Sequence, residues 1–145
     1  MVFSNTILPA ADIMRARPAD AAGRRGQIAI MSSLASFRGF GYAPAYCASK
    51  AALRVFGEGL RAALAKAGIS VSVICPGYIK TPMTAGNPFP MPLMMDVDRA
   101  ARIIRRGLAR RRGRIAFPWP MYVAVWLLAA LPDRIADPLV RRIGY

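Results

Sequence analysis

The chain has 145 residues, the usual size of one domain, with 55% hydrophobic residues, 21 Lys and Arg against 7 Asp and Glu, and no His. The hydrophobic content excludes disorder as a whole-chain description, and Gly and Pro scattered without a heptad exclude collagen-like and coiled-coil classes. The lack of His removes Ser-His-Asp and Cys-His catalysis and most zinc sites, and a single Glu, Glu58, supplies little for carboxylate pairs.

Ile7 to Arg17 reads as the end of a helix, because Ile7, Leu8, Ala11 and Met14 recur at spacings of three and four. Pro18 to Gly26 is a polar turn. Gln27–Ser32 is too short and too apolar for a surface helix and reads as a buried strand. A loop from Ser33 to Gly41 leads to Pro44, which suits the first turn of a helix running to about Lys66. Gly68 is placed to stop that helix. Ile69–Cys75 is β-branched and closed by Pro76-Gly77, so it reads as a second strand. Strand, long helix and strand form a βαβ unit, which implies a parallel sheet. Thr81 to Met95 reads as a loop rich in Pro and Met, Val97 to Ala109 as a helix with Ala100, Ile103, Ile104 and Leu108 on one side, Arg114 to Phe117 as a short strand, and Met121 to Leu131 as a final apolar helix. No internal repeat is present. Pro118 and Pro120 break the longest apolar stretch, leaving about a dozen clean residues where a spanning helix needs roughly 20. No secretory signal is visible. Cys47 and Cys75, on the expected helix and second strand, read as reduced thiols. No metal site is expected.

Tyr46 and Lys50 stand four apart near the start of the long helix, on one face. A tyrosine with an ordinary pKa near 10 is a poor base at neutral pH, and lowering it by about three units requires roughly 4 kcal/mol of preferential stabilisation of the phenolate. A neighbouring ammonium and a helix N-terminus both favour that anion. Ser32-Ser33 closes the strand before this helix, and Pro76-Gly77 closes the strand after it, with Thr81 four residues beyond Gly77. Each has a bland reading as well: Ser33 as a turn residue, Pro76-Gly77 as strand punctuation, Thr81 as the cap of a short helix before Pro82.

Taken in order, Ile30-Met-Ser-Ser33, Tyr46-Cys-Ala-Ser-Lys50-Ala-Ala and Val73-Ile-Cys-Pro-Gly77-Tyr-Ile-Lys-Thr81-Pro-Met83 resemble the short-chain dehydrogenase/reductase family. The resemblance covers about Ser4 to Met83. It implies an α/β, partial Rossmann-like fold with a doubly wound parallel sheet, truncated at the N-terminus. Residues 1–117 would be the C-terminal part of the Rossmann-like domain, and 118–145 an apolar helical extension. It also implies an NAD- or NADP-dependent oxidoreductase acting on a small-molecule alcohol or carbonyl. Tyr46 would be the general acid/base. Lys50 would lower its pKa and bond the nicotinamide ribose, and Ser33 would orient the substrate oxygen. Pro76, Gly77, Ile79 and Thr81, with Tyr46 and Lys50, would hold the nicotinamide end of the cofactor, whose hydride the protein positions. In the family the long helix and the one before the serine strand form dimers, so a homo-oligomer in the cytoplasm is expected.

The family's glycine-rich turn after a first strand has no counterpart here, nor does its Asn-Asn-Ala-Gly stretch or the residue that selects NAD or NADP. The family's catalytic asparagine is expected upstream of Met1, and Asn5 lies too late to be assigned. The expectation is therefore a fragment or mis-started product, inactive on its own, of a longer reductase. An upstream in-frame stretch carrying the glycine motif would confirm it. A non-catalytic interaction module and a basic peripheral membrane protein are the rival readings.

Between Arg99 and Arg114 stand eight arginines and no acid. The run reads first as a solvated face. Attraction to anionic lipid is the sharper alternative, given Trp119, Tyr122 and Trp126 close by. Nucleic acid is not expected, because aromatic residues are not interleaved with the arginines and no nucleic-acid fold signature is present. Trp119 to Leu131 is expected to pack back over the substrate cleft, with weak membrane-surface contact as the alternative. Pro88, Pro90 and Pro92 with Met91, Met94 and Met95 form an adaptable apolar segment, which either favours a hydrophobic substrate or only packs the core.

Overall fold

The computed structural model describes residues 2–86 and 90–143. Six helices and three strands follow in the order α1 (Val2–Ala16), β1 (Gly26–Met31), α2 (Pro44–Leu64), β2 (Ile69–Pro76), α3 (Pro82–Ala85), α4 (Val97–Ala109), β3 (Arg114–Phe117), α5 (Trp119–Ala130) and α6 (Asp133–Ile143). Leu34–Ser36 and Ala65–Ala67 are single 3-10 turns.

The sheet is parallel, in the order β1-β2-β3. Ile28 lies opposite Val71, Ile30 opposite Val73, and Ile74 opposite Ile115. The centre strand β2 is the most deeply buried, with Val73 and Cys75 wholly inaccessible. Burial on both faces explains its continuous β-branched run. Odd-numbered β2 residues face α1 and α2: Ile69 and Val71 pack with Ile28, Ile30, Leu60, Leu64 and Ala11. Farther along the same face, Val73, Cys75 and Leu34 pack against Met121, Tyr122 and Val125 of α5. On the opposite face Ile74, Ile115 and Phe117 meet Ala100 and Met95 under α4. Helices thus cover both faces of an α/β sheet with Rossmann-like topology. β1 pairs with β2 along one edge, and among the described residues no strand pairs with the other.

The long helix ends as its sequence dictates. Gly68 adopts φ of 70°, and a Cβ there would fall 2.3 Å from the Gly23 carbonyl oxygen, so only glycine serves as this left-handed cap. Gly57 lets α2 approach the sheet, since a Cβ would meet Val73 at 2.6 Å and Ile30 at 3.0 Å.

Several expectations change. The first helix runs from Val2 and ends at Ala16, one residue before the expected Arg17. The Thr81–Met95 loop contains the one-turn helix α3. Ile79, just before that loop, and Met95 at its end form a parallel bridge that draws the segment back to the body. Pro88 lies outside the described residues. Helix α6 was not anticipated: Pro138 interrupts its pattern. Its inner face buries Ala136 completely. The expectation that Trp119–Leu131 is buried holds for one face only. Leu128 is buried, while Trp119, Trp126 and Leu127 are 72%, 50% and 51% exposed.

Candidate active site

The motif residues gather where the parallel strands end, which is where ligands bind in open α/β sheets. Ser33 follows β1 and caps the 3-10 turn Leu34–Ser36 in an extended conformation. Its hydroxyl oxygen accepts from the Ala35 N–H at 3.2 Å and points its own proton toward the Pro76 carbonyl at 3.4 Å. The first contact fixes the oxygen. The second is long, so the proton is easily redirected to a better acceptor. The loop is tied to the sheet by the neighbouring Ser32, whose N–H donates to the Ile74 carbonyl at 2.7 Å and whose hydroxyl donates to the Lys50 carbonyl at 2.8 Å.

Tyr46 stands in the first turn of α2 and is 43% exposed, so its phenol is open to a reactant. One turn on, the Lys50 ammonium lies 5.6 Å from the centre of the Tyr46 ring and donates to the Met31 carbonyl at 3.3 Å. One of three ammonium donors is thus directed to the end of β1, with the ammonium beside the Tyr46 ring. The structure brings Ser33 to Pro76 and Lys50 to Tyr46.

Pro76 is the last paired residue of β2, opposite Phe117, and the Gly77 N–H donates to the Phe117 carbonyl at 2.7 Å. Gly77 is tightly enclosed: a Cβ would lie 2.8 Å from Met121 Sδ and 3.0 Å from Pro118 Cδ. Ile79 is partly buried and packs against the Ile74–Met95–Phe117 cluster. Its backbone neighbour Lys80 pairs with Asp96 at 2.9 Å. Thr81 precedes α3, and its N–H donates to the Thr84 hydroxyl at 3.0 Å, so it does cap a short helix.

Three features escaped sequence reading. The Tyr42 and Tyr78 hydroxyls meet at 3.2 Å, and burial above all pushes the Tyr42 phenol upward, with the Tyr78 hydrogen bond adding to it. They are thirty-six residues apart, so no local pattern joins them. Arg38, in the loop after Ser33, grips Asp133 at 3.1 Å and Asp137 at 2.6 Å, tying α6 to the site loop. Glu58 accepts from Arg54 at 3.2 Å and from Arg114 at 2.5 Å. Arg114 also donates to the Tyr122 hydroxyl at 2.9 Å. Both guanidiniums stack on the Phe37 ring, at 4.6 and 5.4 Å. The Arg54–Glu58 spacing of four was a readable hint of this cluster. Among the described residues no group of His, Cys, Asp or Glu could hold a metal. Both cysteines are buried and free, and burial raises the Cys75 thiol.

The family model for short chain dehydrogenases matches residues 4–88. An uncharacterised oxidoreductase of Myxococcus xanthus is 36% identical over 143 residues, 99% of this chain and 56% of that protein. A Burkholderia cenocepacia short chain dehydrogenase solved in complex with NADP superposes with a TM-score of 0.66 at 24% identity. That alignment covers 82% of this chain and 49% of the other, and the likeness is one of fold. A Mycobacterium paratuberculosis short chain dehydrogenase bound to NAD has a TM-score of 0.50 at 25% identity, covering 66% and 43%. The chain spans about half the length of the relatives it matches. It belongs to the short-chain dehydrogenase family.

Proposed function

We propose that this chain contributes the nicotinamide-side and proton-transfer residues of an NAD- or NADP-dependent oxidoreductase that interconverts an alcohol and a carbonyl. The observation that carries the reading is the Lys50 ammonium held between the Tyr46 ring and the Met31 carbonyl at the end of β1, the strand that Ser33 follows. The donors present fit the ribose end of such a cofactor: the ammonium has donors to spare for ribose hydroxyls, and Pro76-Gly77 borders the same strand ends. Ile79 and Thr81 belong to that loop by resemblance, and their packing and capping roles are compatible with shaping it. The bound cofactor supplies the hydride.

The chain's own residues manage the proton. The exposed Tyr46 phenol gives its proton to the substrate oxygen in reduction and takes it back in oxidation. Lys50 keeps a positive charge beside the phenol while its oxygen is proton-poor. Ser33, with its oxygen fixed by Ala35, turns its proton from Pro76 to the substrate oxygen and orients it. Residues 1–117 act as the Rossmann-like part and 118–145 as a helical extension. A hydrophobic substrate is favoured by the Met and Pro segment before α4. Exposed Leu8 and Ile13 on α1 and Val55 on α2 support association with a second copy. Two buried free cysteines support a reducing, cytoplasmic setting.

The test is Tyr46→Phe in the whole protein. Turnover should fall about 10²- to 10⁴-fold, the usual weight of a positioned proton donor, while binding of reduced cofactor survives. Near-normal turnover would overturn the assignment.

A further inference from the structure

Helix α5 has twelve residues and no charged one among them. At 3.6 residues per turn, Trp119, Val123, Trp126, Leu127 and Ala130 fall on one side, opposite the buried Leu128. All five are exposed. The inner side is engaged by Leu34, Val73 and Cys75. The outer side is thus an apolar strip with an indole toward each end. Beyond it, α6 exposes Ile135 and Leu139 one turn apart, with Arg134, Arg141 and Arg142 also exposed on that helix.

Tyr122 stands at the edge of the strip and forms one wall of a groove of about 370 Å³. Arg106, Arg110, Arg112 and Arg114 line the rest of its polar surface, and among the described residues no acidic side chain lines it. Indoles beside an apolar strip, bordered by guanidiniums, match the layered chemistry of an anionic bilayer surface: acyl chains, then the interfacial zone, then phosphates. Among the described residues no helix is long and apolar enough to cross a membrane, and the contact argued for is interfacial. A second copy fits less well. Twelve residues span about 18 Å, and a strip about 10 Å wide offers about 180 Å², far below the roughly 800 Å² per partner of a stable interface.

We propose that the outer face of α5, with the arginine groove and α6 beside it, docks on an anionic phospholipid surface. The docking is independent of the reductase reading.

Trp119 and Trp126 are the only tryptophans of the chain, so its intrinsic emission reports this face alone. The full chain is mixed with vesicles of phosphatidylglycerol and phosphatidylcholine in equal parts, or of phosphatidylcholine alone. With the anionic vesicles the protein should co-sediment, its emission should move to the blue, and acrylamide should quench it less. Raising salt from 0.01 to 1 M, which shortens the Debye length from about 30 to about 3 Å, should weaken binding steeply. Arg110→Gln with Arg112→Gln should bind about thirtyfold more weakly, since each arginine near a charged surface contributes about 1 kcal/mol and each step of about 1.4 kcal/mol is tenfold in affinity. Trp126→Ser with Leu127→Ser, at exposed positions, should bind about tenfold more weakly with an unchanged circular dichroism spectrum, Trp119 still reporting. Should that pair unfold, Trp119→Ser at the most exposed position replaces it. Three outcomes overturn the proposal: no co-sedimentation at low salt; co-sedimentation without an emission shift, which is attraction of arginines alone; or a concentration-dependent blue shift without vesicles in a particle of twice the mass, which is a second copy.

Discussion

Helices α2 and α5 both lie against the same face of the sheet, and they differ in the side chains along their outer flanks. α2 buries Cys47, Gly57, Leu60 and Leu64 and carries Lys50, Arg54, Glu58 and Arg61 half-buried along its flanks. α5 buries Leu128 and leaves indoles and leucine in solvent. An amphipathic helix writes its inner face into its spacing. A uniformly apolar one does not, so only its neighbours decide which side is covered. For α5 the neighbours cover one side, and the other is left to a partner.

Substitutions along the two helices sharpen this contrast. Leu64→Ala on α2, at a side chain 1% exposed within the β1–β2 cluster, should cost about 3 kcal/mol in urea unfolding. Glu58→Gln should cost about 2 kcal/mol at neutral pH, because two arginines lose an ionised acceptor. Burial pushes the Glu58 carboxyl up, but the Arg114 hydrogen bond and the charges of Arg54 and Arg114 outweigh it, and the net direction is down. A carboxyl lowered in the folded state stabilises above its unfolded pKa, and that stability is lost as pH falls through the lower folded value. The wild type should therefore lose stability on acidification below about pH 4.3 more steeply than the Gln variant, as read by urea midpoints across pH. Gly59→Ala should raise stability by about 0.8 kcal/mol, since a Cβ there meets nothing within 4 Å. Leu127→Ala, on the outer face of α5, should change stability by less than about 0.5 kcal/mol in the absence of lipid. A large loss there would mean that the strip is already covered.

The same contrast explains what could be read in advance. β2 and α2 were legible because burial on two faces and on one face leave different periods, and Gly68 marked the stop. The placement of Ser33, Tyr46, Lys50 and Pro76 was legible because each lies within a few residues of a strand end or helix start. The Arg38 clamp and the Tyr42–Tyr78 pair were not, because their partners are joined through tertiary packing alone. α6 was hidden by Pro138, although Asp133 in its first turn and Arg141 and Arg142 in its last agree with the helix dipole.

The close fit around Gly77 carries a consequence for anyone who edits this turn. Met121 can swing its thioether aside, but the Pro118 ring has no such freedom, and both belong to the start of the apolar helix. A methyl group at position 77 would act as a wedge under α5, tilting the strip that bears the two indoles. A variant altered there would report on the seating of that helix before it reported on any cofactor, so the two effects separate only when tryptophan emission is recorded beside turnover.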